Sequence, residues 1–138
     1  MTGTVTVSRT IAASRDRVWQ AFTTADGLAA FWGGSHATVP TESVIVEPHP
    51  GGRFELLTVS PEGGEYPLTF VYDEVDEPVR LVFTETRMGI VTTVDLADDG
   101  EATLVTIRQH EVPDDFLGPE AEEGLGGVLV MLEAHLVP

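Results

Sequence analysis

The chain has 138 residues, enough for one domain with its own core, and it contains no cysteine. That composition excludes disulfides, thiolate nucleophiles and cysteine-based zinc or iron–sulfur sites. Twenty-three acids stand against seven arginines, with no lysine and a formal net charge of −16, so nucleic acid is a poor partner and lysine Schiff-base chemistry is excluded. The charge reads most simply as an acidic, solvated surface. There is no apolar run approaching the roughly 20 residues of a membrane helix, so no membrane insertion is expected. The opening MTGTVTVSRT has neither the basic region nor the apolar core of a signal peptide, so a cytoplasmic location is expected.

Val5, Val7, Arg9 and Ile11 alternate with Thr and Ser, which predicts a first strand over residues 3 to 11. Ser14 is a good N-cap, Asp16 suits the first turn, and Val18, Trp19 and Phe22 recur at helical spacing. After Thr24 to Gly27, a second apolar cluster of Leu28, Phe31 and Trp32 ends at Gly33-Gly34, giving two short helices in succession. Ser43 to Val46 and Arg53 to Val59 form the arms of a hairpin about a turn with two prolines and two glycines. Longer strands follow over Tyr66 to Val75, Arg80 to Arg87, Ile90 to Leu96 and Ala102 to His110. Pro119 to Leu136 carries a broad apolar stripe of helical period, although Gly124, Gly126 and Gly127 each cost about 1 kcal/mol relative to alanine inside a helix. Either that helix begins late, or its backbone approaches a sheet or ligand closely.

A strand, two short helices, about six antiparallel strands and a long terminal helix predict an α+β fold in which a curved sheet grips the helix. The segments IAASRDRVW (11 to 19), GLAAFWGG (27 to 34), VEPHPGGRF (46 to 54), EVDEPVRLVFT (74 to 84), ATLVTIRQ (102 to 109) and EGLGGVLVMLEAHL (123 to 136) occur in that order. Together they resemble the START-like, helix-grip superfamily, also called SRPBCC, and within it the branch named for the activator of the ninety-kilodalton heat-shock protein's ATPase. The resemblance implies a single domain over residues 1–138, with about six or seven strands and a hydrophobic cavity between sheet and terminal helix. It does not imply one reaction, because the superfamily includes lipid or polyketide binders, aromatic cyclases and a co-chaperone domain. Where relatives often open the last helix with a Gly-Trp pair, this chain has Gly124-Leu125, and the smaller side chain either enlarges the cavity mouth or is absorbed by repacking.

Period-two alternation, phased by the most apolar residues, gives an inward-facing set. Leu81 and Phe83 continue to Glu85 and Arg87; the next arm offers Ile90, Thr92, Val94 and Leu96; the last offers Val105, Ile107 and Gln109. The Tyr66 to Val75 strand presents either Leu68, Phe70 and Tyr72 or Val71 and Val75, and alternation alone leaves its phase open. A buried Glu85 would suit a general base and Arg87 a carbonyl or carboxylate clamp; the competing expectation is an ion pair near the sheet's end. None of the four histidines stands at metal-ligand spacing, so no metal is expected, and no motif calls for a cofactor. His36, after the FWGGS loop, is the one histidine placed to border a cavity entrance. Trp19, Phe22 and Phe31 read as core, whereas Trp32, at the glycine break, is a candidate for the pocket rim.

These features favour binding of a hydrophobic or amphipathic small molecule. The expected liners are Trp32, Phe54, Phe70, Phe83, Glu85, Arg87, Gln109, Leu125, Leu129 and Leu132. A metal-free polyketide cyclase or dehydratase, with Glu85 or His36 as base, is the enzymatic alternative. A third possibility, which the branch name implies, is a module with a chaperone partner whose ATPase it activates. The apolar edge strand Val5 to Ile11 could also pair two chains into a homodimer.

Overall fold

Alternating Thr and Val make β1 (Thr2–Ile11) the first strand, and Ser14 then turns the chain into α1 (Arg15–Phe22) in a computed structural model that describes residues 2–35 and 37–137. The Ser14 side chain caps α1 by accepting from the Arg17 amide at 3.3 Å, and Thr24 caps α2 (Ala25–Phe31) by accepting from Gly27 at 3.2 Å. Gly27 is required here, since a Cβ would overlap the Ala21 backbone and force the two helices apart.

The remaining strands are β2 (Ile45–Val46), β3 (Arg53–Val59), β4 (Glu65–Asp76), β5 (Arg80–Glu85), β6 (Val91–Asp99) and β7 (Ala102–Pro113). They form one antiparallel sheet in the order β1-β7-β6-β5-β4-β3-β2, so β1 is one edge and the two-residue β2 the other. The last helix, α3 (Pro119–Leu136), carries proline in its first turn, where the missing N–H costs nothing. It lays Leu125, Val128, Leu129, Leu132 and Leu136 on the core, each burial contributing about 1.5–3 kcal/mol. The architecture is the expected helix grip.

A bulge resolves the open phase of β4. Leu68, Phe70 and Tyr72 face inward, but the register shifts between Tyr72 and Glu74, so that Val75, opposite Leu81, turns inward too. Val71 remains outside. The C-terminal part of α3 is pinned at two points: Arg17 donates to the Leu136 carbonyl at 2.9 Å, and Arg9 pairs with Glu133 at 2.7 Å.

Beneath α2, five rings pack together. Trp32 lies 5.6 Å from Phe54 and 5.8 Å from Phe83, Phe54 stacks on Phe70 at 4.8 Å, and Tyr72 lies 5.9 Å from Phe83. Such edge and offset contacts add about 0.5–1.5 kcal/mol per pair beyond burial. The Tyr72 hydroxyl has no partner among the described residues, and burial pushes its pKa above the ordinary phenol range.

Candidate functional site

Most of the expected liners sit in the core. Trp32, Phe54, Phe70 and Phe83 are members of the ring cluster, each buried against the others, while Leu125, Leu129 and Leu132 pack from α3. Open space lies instead beside the N-terminal half of α3. One cavity of about 460 Å³ is walled by Val5, Ile90, Val112, Phe116 and Ala121, with Gln109 inside it, Asp115 and Glu120 exposed at its rim, and Gly124 over it. Of the expected liners, only Gln109 borders this mouth. A larger groove of about 850 Å³ runs on the other side of α3, between the helix and the β1 edge.

The mouth owes its shape to an irregularity in β7. Gly3 is opposite Val112 and Val5 is opposite Gln109, so the His110-Glu111 pair faces Thr4 alone. This is a bulge, and Glu111 holds a φ of 60°, a left-handed conformation that is uncommon for a residue with a side chain. A strained residue of this kind costs about 1–3 kcal/mol and persists only where the surroundings enforce it. Beyond the bulge, Val112 is buried and the chain enters the short turn Asp114–Phe116 that leads to α3. Within the bulge, the His110 Nε2 is buried without a partner among the described residues. Gln109, which borders the cavity, donates from Nε2 to the buried Thr92 Oγ1 at 3.2 Å, and this bond holds its amide in place.

The three glycines of α3 divide into two kinds. Gly127 makes the close approach, because a Cβ there would lie 3.3 Å from Ser35 Oγ. Gly124 and Gly126 face open space, with nothing within 4 Å of an added Cβ. The helix begins at Pro119 despite them.

Glu85 is buried, 4% exposed, at the end of β5, as its phase predicts. Its Oε1 accepts from the Arg87 amide at 3.0 Å and its Oε2 from the Met88 amide at 2.6 Å, while Gly89, at φ 77°, closes the turn. Arg87 differs from the expectation of an inward side chain. The strand ends at Glu85, whose carboxylate draws the Arg87 and Met88 amides into a turn, and alternation no longer applies beyond it; Arg87 is exposed. Arg87 therefore does not join Glu85 on the inward face, and the contact given between the two is carboxylate to backbone amide. His36 lies outside the described residues.

Sequence reasoning missed Val112, Phe116 and Ala121 as mouth residues, and gave Ile90 only as inward-facing. Gly124 was visible as one of three helix-weakening glycines and through the Gly124-Leu125 pair, but helical periodicity alone did not separate it from Gly127. No helix among the described residues is long and apolar enough to cross a membrane.

The fold has many solved counterparts. A Chromobacterium violaceum protein is similar with a TM-score of 0.88 and 22% identity, covering 98% of each chain. The AHSA1 protein of Silicibacter pomeroyi gives 0.82 at 19% identity over 96% of each chain. An AHSA1-like protein of Aeromonas hydrophila gives 0.80 at 21% identity, over 95% of this chain and 91% of its own. At these identities the likeness concerns the fold. No curated protein matches the sequence. The profile of one family matches residues 12–137, and the chain accordingly belongs to the AHSA1 family, described as activator of Hsp90 ATPase homolog 1-like protein, within the SRPBCC helix-grip superfamily.

Proposed function

We propose that this chain binds a small amphipathic molecule at the mouth between β7 and the first turns of α3. The observation that carries the proposal is the cavity of about 460 Å³ framed by the strained β7 bulge. Its volume falls in the range of roughly 300–1,000 Å³ common to small-molecule sites, and its apolar walls with one inward amide match their usual chemistry. The apolar body of the ligand lies against Val5, Ile90 and Val112, its polar group meets the Gln109 amide, and its exposed end passes between Asp115 and Glu120. Glu85 has both carboxylate oxygens engaged by turn amides, so binding without turnover is the reading we carry forward.

The test uses N-phenyl-1-naphthylamine, a neutral fluorescent probe that the acidic surface does not repel. Gly124→Leu adds a side chain at the lining of the mouth, where an added Cβ meets no atom within 4 Å. We expect the wild-type chain to enhance the probe's fluorescence and Gly124→Leu to weaken binding at least about tenfold, or about 1.4 kcal/mol, while its melting temperature holds or rises. Equal binding by both chains would place the ligand elsewhere.

A further inference from the structure

We infer that the outward end of the ligand is a cation, so that the mouth selects an alkylammonium, whether a protonated amine or a quaternary ammonium, over a neutral or anionic amphiphile of equal length. This inference rests on the ligand site proposed above and adds the charge of its occupant.

One aromatic ring departs from the rest. Every other phenylalanine is buried, at 5% exposure or less, whereas Phe116 is 53% exposed where it walls the mouth. The face of an aromatic ring carries partial negative charge and attracts a cation held within about 6 Å of its centre. Deeper in the same cavity, Val5 and Val112 are buried, so the walls run from apolar inside to aromatic and acidic at the opening. An alkyl chain with a charged head has that same polarity.

Charge decides the sign of the head. Asp115 and Glu120 line the mouth beside Phe116, and none of its described walls is an arginine or a histidine. The Glu120 carboxylate folds back over Gly118, itself a mouth residue: a Cβ added there would overlap Oε2, so glycine leaves the room this carboxylate takes. The start of α3 accounts for an acid in its first turn, because negative charge suits a helix N-terminus. It does not account for Asp115 or for the exposed ring, both of which precede the helix. A carboxylate or phosphate head would meet like charge at this rim with no cation among the walls to offset it.

Octyltrimethylammonium, octan-1-ol and octanoate share one alkyl chain and differ in headgroup charge, and titration calorimetry of the full chain at low salt compares them. We expect the cation to bind about tenfold more tightly than the alcohol, and octanoate more weakly than either. The double variant Asp115→Asn, Glu120→Gln is expected to lower the cation-to-alcohol ratio at least about threefold, and Phe116→Leu about two- to fivefold. Glu62→Gln with Glu101→Gln removes two exposed charges from the β3–β4 and β6–β7 turns and is expected to keep the ratio, which separates the mouth from the general acidity of the chain. Equal affinities for cation and alcohol would overturn the inference and leave the ligand site standing. So would a ratio that the mouth variant leaves unchanged, or that both double variants lower equally. If the naphthylamine probe binds and none of the three octyl compounds does, the inference alone falls; if the probe fails as well, the site falls with it.

Discussion

Glu85 shows how a single side chain can hold a strand end in place. A buried carboxylate ordinarily invites a catalytic role, yet each oxygen here accepts from the amide of a residue in the turn it begins. Replacing it by Gln keeps the shape but leaves only one, uncharged, oxygen to accept, so one turn amide loses its acceptor and the other keeps a neutral one. We expect Glu85→Gln to cost about 1–3 kcal/mol in urea denaturation and to leave naphthylamine binding unchanged. Unchanged stability with altered binding would instead assign the carboxylate to the ligand. The burial of Glu85 was legible because alternation from Leu81 and Phe83 reaches it. The exposure of Arg87 was not, because period two holds only while the strand lasts, and the strand ends through a side chain bonding to backbone, which hydropathy does not encode.

At the level of elements, the glycines of α3 separate packing from vacancy. Gly126→Ala places a methyl in open space and gains the helix propensity of alanine, so we expect it to stabilise the chain by about 1 kcal/mol. Gly127→Ala meets Ser35 Oγ at 3.3 Å, and we expect it to yield less than Gly126→Ala in the same thermal unfolding measurement. The order of strands and helices was legible from turn residues and periodicity. The phase of β4 was not, because its bulge makes both candidate faces partly correct: Phe70 and Tyr72 before it, Val75 after it. The β7 bulge was hidden for the same reason, and with it the shape of the mouth.

For the whole molecule, charge and volume are the controlling quantities. An excess of 16 negative charges on a chain this small opposes compaction, and salt at 0.1 M screens that repulsion beyond about 10 Å. We expect the melting temperature to rise when sodium chloride is increased from about 10 mM to about 0.5 M, as scanning calorimetry would record. Loss of stability on adding salt would mean that the ion pairs at Arg9, Arg53 and Arg80 outweigh the general repulsion. The helix grip itself was legible from residue order. Where it leaves room was not, because the aromatics expected to line a cavity, Trp32, Phe54, Phe70 and Phe83, are large enough to fill the space between α2 and the sheet. The free volume was thereby displaced to the end where α3 carries glycine.

Gly124 gives that displacement an evolutionary reading. Sites carved into a core usually couple ligand choice to folding, because every change of lining residue also changes packing. Gly124 is a position where the two can be separated, since a Cβ added there meets no atom within 4 Å. A series through alanine, valine, leucine and phenylalanine at this one position would grade the width of the entrance while the hydrophobic interior stays constant. Selection acting on a single codon could thus retarget the protein among ligands of different girth without first accumulating compensating mutations.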